Sequence, residues 1–321
     1  MNRYERQQML PEVGAAGQGR LHAAHVLVVG AGGLAATVLP LLVAAGIGRI
    51  TLVDGDRVEL SNLHRQTLFS EDDIGRPKAD AAAEWCRKLN REVTLVPWRR
   101  ALTPENAEDL VRPVDLVLDC ADSYAVSYTL SDVCANLRTP LITASVLGIS
   151  GYVGGFCGTA PSLRAVFPAA PESAESCATA GVLGPVVAMI GAAQAQMAMS
   201  VILALQPSPL GQVLTFDMKT YRTSGFRFER AEEPQAFFPF VARIELTGED
   251  EIVDLRPKEE SSELIHWAAR RIPPEALTDT LVPGDRRLVL ACASGLRAWR
   301  AAETLQHIWP GEIVLVAACA S

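Results

Sequence analysis

The chain reads as an α/β protein built on a doubly wound sheet, with a smaller α/β unit behind it. Three observations carry that reading. Short apolar runs alternate with amphipathic stretches from His25 to Ala144, as they do when parallel strands are joined by helices. A glycine-rich turn, Gly30-Ala31-Gly32-Gly33-Leu34-Ala35, links the first of those runs to the helix after it. An acidic, proline-containing break at Ala231-Glu232-Glu233-Pro234 then separates this part from a shorter one.

Strands are expected at His25–Gly30, Arg49–Asp54, Glu92–Trp98, Val114–Asp119 and Thr139–Ala144. Between them, helices are expected over Leu34–Ala45, Asp72–Leu89, Pro104–Val111 and Val126–Leu137. From Gly151 to Gly158 the pattern fits a strand that switches direction, which makes the sheet mixed. The stretch from Pro161 to Ala180 is long for a loop in a compact domain, and such loops are usually lids or disordered. Gln212–Asp217 and Thr223–Glu229 read as a closing hairpin. Residues 1–230 are therefore expected to form one domain. In the remainder, 237–321, Glu251–Leu255 and Arg286–Ala291 read as strands and Leu296–His307 as a helix. That is a small unit to fold independently.

With 321 residues, 49% of them apolar, the chain can bury a substantial core. Its net charge of −8 argues against a nucleic-acid partner. The first residues, Met1-Asn2-Arg3-Tyr4-Glu5-Arg6, lack the apolar stretch of a signal peptide. Gly181 to Leu205 is nearly all apolar, but Gln194 and Gln196 interrupt it, and an unpaired amide in lipid is expensive. It reads as a buried or subunit-interface helix, so no membrane partner is expected. The seven cysteines form no C-x-x-C pair and read as reduced thiols of a cytoplasmic protein. The five histidines have neither metal-ligand nor triad spacing.

The glycine turn has a Rossmann-like form. Gly30, Gly32 and Gly33 tighten the turn and let the backbone approach phosphate oxygens at a helix N-terminus. Asp54 ends the next strand, where a carboxylate accepts hydrogen bonds from ribose hydroxyls. A glycine turn can also be a packing device only, and by itself it does not name the nucleotide. Asn62, Arg65, Gln66 and Lys78 discriminate. A hydride-transferring enzyme has no need of fixed cations beside the phosphates. Attack on an α-phosphate does, because a carboxylate must approach a polyanion and pyrophosphate must leave. The bland alternative is a solvated charged loop followed by a helix start at Arg76-Pro77-Lys78. Asp122, just past a strand, fits a magnesium ligand facing phosphate or the N-cap of the next helix.

In order along the chain, Tyr4-Glu5-Arg6-Gln7, the Gly30 loop, Asp54-Gly55-Asp56, Ser61-Asn62-Leu63-His64-Arg65-Gln66, Gly75-Arg76-Pro77-Lys78 and Leu118-Asp119-Cys120-Ala121-Asp122 together resemble the ThiF/MoeB/HesA family. These are bacterial relatives of ubiquitin-activating enzymes, and the resemblance spans roughly Arg3 to Phe228. It implies ATP-dependent adenylation of the C-terminal Gly-Gly carboxylate of a small ubiquitin-like sulfur-carrier protein. By position it assigns Asp54 to the ribose, Asn62, Arg65 and Gln66 to the triphosphate, Lys78 to the α-phosphate, and Asp122 to Mg²⁺. It also implies a homodimer in which Arg6 reaches the partner subunit's triphosphate. Ser123 stands where the family pattern has Asn.

Most members carry two C-x-x-C pairs that hold a structural zinc ion. Here neither place has a cysteine pair, so no zinc site is expected. Cys177 matches a family position whose thiol links covalently to the carrier in some members. It reads either as a nucleophile on a lid or as a small apolar residue.

In the C-terminal unit, Ile252-Val253-Asp254-Leu255-Arg256 and Cys292-Ala293-Ser294-Gly295-Leu296-Arg297 resemble a rhodanese-like domain. That resemblance implies a persulfide on Cys292, wrapped by backbone amides, and a cysteine desulfurase as sulfur donor. The unit is short, and its Arg271-Ile272-Pro273-Pro274-Glu275 departs from the usual segment, so a degenerate, structural role stays open. Cys86, Cys120, Cys134 and Cys319 read as packing residues. Two other functions compete: a non-catalytic carrier-binding module, and an NAD-dependent oxidoreductase.

Overall fold

The computed structural model describes residues 2–170 and 181–318. Cys177 and Cys319 lie outside them. Among the described residues, eight strands form one sheet in the order β3-β2-β1-β4-β5-β6-β7-β8. β1 (His25–Val29), β2 (Arg49–Val53), β3 (Thr94–Trp98), β4 (Leu116–Asp119) and β5 (Pro140–Leu147) run parallel. β6 (Ser150–Cys157) turns back on β5, and β7 (Gln212–Asp217) and β8 (Arg222–Arg227) continue antiparallel. The mixed sheet and the reversal after β5 are as the sequence leads one to expect. Val29 aligns with both Val53 and Asp119, so β1, β2 and β4 end together at one edge. Ligands bind at that edge in doubly wound sheets, where the crossovers part to either side.

The helices of this part are α1 (Glu5–Gln8), α2 (Gly14–Ala23), α3 (Ala35–Ala45), α4 (Lys78–Leu89), α5 (Pro104–Val111), α6 (Tyr124–Leu137), α7 (Leu163–Val166) and α8 (Gly184–Ile202). One boundary departs from expectation, and α2 has no counterpart among the expected helices. The helix expected from Asp72 starts at Lys78, because Gly75 adopts φ +83° and Pro77 is extended at ψ 128°. α2, with three glycines, has little intrinsic helix preference; it forms because Leu21 is fully buried and Gly17 packs on Leu203. α8 is long and apolar enough to cross a membrane by length and composition, yet its inner face packs on the sheet. The buried Gln194 amide donates to the carbonyls of Asp119 (2.7 Å) and Ile142 (3.1 Å) and accepts from the Cys120 thiol. An amide so placed ties α8 to the ends of β4 and β5.

A second sheet, all parallel, has the order β10-β9-β11-β12, from β9 (Glu251–Asp254), β10 (Arg270–Arg271), β11 (Leu288–Cys292) and β12 (Ile313–Ala317). α9 (Leu277–Thr280) and α10 (Leu296–Leu305) accompany it. One face builds its own small core around Ile252, Val289 and Val314. The other joins a cluster shared with the first sheet, in which Leu130 and Phe156 belong with Leu290, Trp299 and Leu305. Sharing a core is how so short a unit buries enough apolar surface to stay folded. The stretch expected to be a linker is pinned as well: the Glu233 carboxylate accepts hydrogen bonds from Ser162 N (2.7 Å) and Oγ (2.5 Å).

Candidate active site

A cavity of about 510 Å³ opens at the carboxyl ends of β1, β2, β4 and β5. Gly30, Gly32, Gly33, Asp54, Asn62, Arg65, Gln66, Lys78 and Asp122 all line it. Gly30 has φ +91°, and a Cβ there would lie 2.8 Å from the Cys120 carbonyl oxygen, so the turn admits only glycine. At Gly32 an added Cβ would meet nothing nearer than the Gln66 amide at 3.9 Å; this part of the loop faces open space. Gly33 lets Val187 of α8 press against the loop, since a Cβ would lie 2.8 Å from it.

Asp54 Oδ2 accepts from Ala31 N (2.6 Å) and Oδ1 from Asp56 N (2.8 Å). Burial pushes its carboxyl above the ordinary carboxylate value, although these amides and the nearby Lys78 oppose the rise. Lys78 opens α4 with its stem buried, and its Nζ donates to Asp56 Oδ2 at 2.9 Å. Asp56 was legible as part of Asp54-Gly55-Asp56, but its role in holding the lysine was not. The Asn62 side-chain Oδ1 accepts from Glu59 N at 3.2 Å, and Arg65 donates to the backbone carbonyl of Ser61 at 3.2 Å. Gln66 is 3% exposed, and its Oε1 is buried with no hydrogen-bond partner among the described residues. A buried amide oxygen costs free energy unless something donates to it. A donor inside the cavity, such as a ligand hydroxyl or amine, would supply that bond.

Asp122 is exposed at the cavity wall and, among the described residues, has no ion-pair partner. Its loop is fixed by Asp119, a fully buried residue of the Leu118-Asp119-Cys120-Ala121-Asp122 motif to which the sequence assigns no role of its own. Asp119 accepts from Thr143 Oγ1 (2.7 Å) and Ala121 N (3.1 Å), and burial pushes its carboxyl up to about 6. Beyond Asp122 the cavity continues over β5 and β6, where Tyr128, Tyr152 and Phe167 line it. No motif marked these aromatic residues in advance.

Arg6, on α1, is exposed and does not line this chain's own cavity. Exposed Met9 and Leu10 follow it. Cys292 is also elsewhere: it ends β11 with no exposure, and its Sγ accepts from Gly295 N (3.1 Å) and Ala298 N (3.4 Å). Gly295, at φ +86°, makes the turn possible. The expected amide wrap is present, but the thiol is closed off. Cys86 and Cys157 are buried, which pushes both thiols up to about 12, as befits packing residues.

A family model described as the ThiF family matches residues 4–236, which takes in the first sheet and stops short of the second. The adenylyltransferase and sulfurtransferase MOCS3 of Bos taurus is 46% identical over 220 residues, covering 68% of this chain and 48% of that protein. The sulfur carrier protein adenylyltransferase of Thermus thermophilus is 41% identical over 225 residues, covering 68% of this chain and 83% of that protein. The chain thus spans about half the length of the MOCS3 relative. Among solved structures, E. coli MccB with ATP superposes with a TM-score of 0.63 at 23% identity, covering 71% of this chain and 72% of that one. That likeness establishes the shared fold.

Proposed function

The chain belongs to the ThiF family, and on that premise we propose that it adenylates the C-terminal Gly-Gly carboxylate of a small ubiquitin-like sulfur-carrier protein, using ATP. The observation that carries the proposal is the convergence of Asp54, the glycine loop, Lys78 and Asp122 on one cavity. Asp54 accepts from the ribose, and the loop amides face the phosphates. A carboxylate oxygen of the carrier attacks the α-phosphorus; the bond to the bridging oxygen breaks, and pyrophosphate departs with the electron pair. The product is an acyl-adenylate.

Charge is the chief obstacle to that step. Two unit charges about 4 Å apart repel by about 4 kcal/mol at an effective dielectric of 20. That is about 10³-fold in rate. Lys78 and Arg65 offset it, and Asn62 and Gln66 orient the phosphates. Mg²⁺, when bound, would neutralise further phosphate charge, and the exposed Asp122 carboxylate suits it as a ligand. The same cations disfavour an NAD-dependent oxidoreductase, which would need none of them, and a scaffold that only holds a carrier. Arg6 has no place in its own cavity, which supports a homodimer in which it completes the partner's site.

A second reading concerns Cys292. Two amides directed at one sulfur are what a persulfide carrier supplied by a cysteine desulfurase requires. The persulfide's terminal sulfur attacks the acyl-adenylate and displaces AMP, leaving an acyl disulfide on Cys292. A second thiol, ending as a disulfide with Cys292, cleaves that S–S bond to free the thiocarboxylate. The buried thiol means that the loop must open for transfer. ATP–pyrophosphate exchange that depends on a carrier ending in Gly-Gly tests the first proposal, and its absence with every such carrier would refute it. Mass detection of carrier thiocarboxylate tests the second. Cys292→Ser should abolish it, and undiminished formation would make the C-terminal unit structural.

A further inference from the structure

Strand order divides the cavity. Asp54, just past β2, and the glycine loop that follows β1 lie to one side of Asp122, which follows β4, and Tyr152 on β6 lies to the other. On the adenylation reading, which this inference deepens, the nucleotide fills the first side. The acyl half must then enter over β5 and β6, along a wall built from Tyr128, Tyr152 and Phe167. That wall is not held by the first sheet alone. The Tyr128 hydroxyl donates to the Phe167 carbonyl at 2.7 Å, and the Tyr152 and Phe167 rings meet at 5.5 Å. Tyr128 in turn stands edge-on to Trp299 of α10, centroids 4.5 Å apart at 87°. Three residues past Phe167, Ala170 N donates to the Glu303 carboxylate of α10 at 2.8 Å.

We infer that α10 of the C-terminal unit is part of the acyl-binding half of the adenylation site. Trp299 and Glu303 are positioning residues: they touch no substrate, but they fix the strap of residues 163–170 and the tyrosine beneath it. The second unit thereby supports the first reaction, whatever the state of its own cysteine. Helix α10 begins just after the Cys292 loop, which places that loop next in sequence to the same support.

The test compares two probes on the intact chain: Mg-ATP, and the sulfamate mimic of glycylglycyl-adenylate, each measured by calorimetry. Glu303→Ala removes one hydrogen bond at a half-buried position and leaves the core intact. It should weaken the mimic about fivefold. Trp299→Phe keeps an aromatic ring but disturbs the edge contact, and should weaken the mimic about threefold to tenfold. ATP affinity should not change in either variant. Amide exchange of the 163–170 peptide should quicken in Glu303→Ala. Unchanged mimic affinity, or equal losses for ATP and mimic, would overturn the inference, as would unaltered amide exchange. A wild-type protein that binds neither probe would instead sink the adenylation reading, and amide exchange would still decide whether α10 anchors the strap.

Discussion

Asp54 and Asp254 stand at the carboxyl ends of parallel strands, β2 and β9, and what surrounds each differs in kind. Asp254 has no exposure, and its oxygens are taken by the Arg256 guanidinium (3.0 and 2.8 Å), Arg256 N (3.0 Å) and Ile265 N (3.0 Å). Burial would raise its carboxyl, but the arginine and the amides outweigh it and hold the group below its usual range. Among the described residues Asp54 accepts from only two backbone amides and pairs with no arginine; it sits above its usual range and still faces a cavity. The turns beside them differ in the same way. The Gly30 loop faces open space, whereas the Cys292 loop closes on its own sulfur. A strand-end group serves a ligand only where the chain has left its bonding capacity unfilled.

That contrast makes quantitative demands. Asp254→Ala leaves Arg256 buried without its carboxylate, a loss of about 3–5 kcal/mol. Denaturant unfolding should register it; a cost under about 1 kcal/mol, as for an exposed pair, would mean Asp254 is as unfilled as Asp54. Lys78→Ala should do the reverse. The fold should survive while carrier-dependent pyrophosphate exchange falls about 10²–10³-fold, the scale of losing one charge-stabilising group. Near-normal exchange would return Lys78 to the role of a solvated helix start.

Asp119 gives a smaller effect, set by pH. Its folded carboxyl lies near 6 against an ordinary 3.8, so between those values the folded chain keeps a proton that the unfolded chain has lost. The resulting penalty is complete above about pH 6 and fades as pH falls toward 4. Wild type should therefore gain on Asp119→Asn by on the order of 2 kcal/mol as pH drops from 7 to 4. A pH-independent difference would mean that its hydrogen bonds from Thr143 and Ala121 fully offset burial.

The half of the cavity proposed to take the nucleotide was legible because its residues cluster in short motifs at strand ends: Gly30 to Gly33, Asp54, Asn62 to Gln66, Lys78 and Asp122. Periodicity located the strands from β1 to β8 to within a few residues for the same local reason. What stayed hidden depends on contacts distant in sequence. Nothing near Tyr128 announces Trp299, and nothing near Ala170 announces Glu303; those pairs exist only once the second sheet has docked. The burial of Cys292 was hidden likewise, because its loop motif fixes amide geometry but not what covers the sulfur. Gln194 was marked by sequence as an interruption, and packing turned it into a clasp between α8 and two strand ends.

The decisive measurement is ATP–pyrophosphate exchange by the intact chain and by Cys292→Ser, side by side, with and without small carrier proteins ending in Gly-Gly. Equal, carrier-dependent exchange in both is expected if the open edge of the first sheet activates the carboxylate by itself. Exchange that vanishes with the thiol, or no exchange with any carrier from folded protein that binds ATP, would mean that the edge holds nucleotide without performing that chemistry.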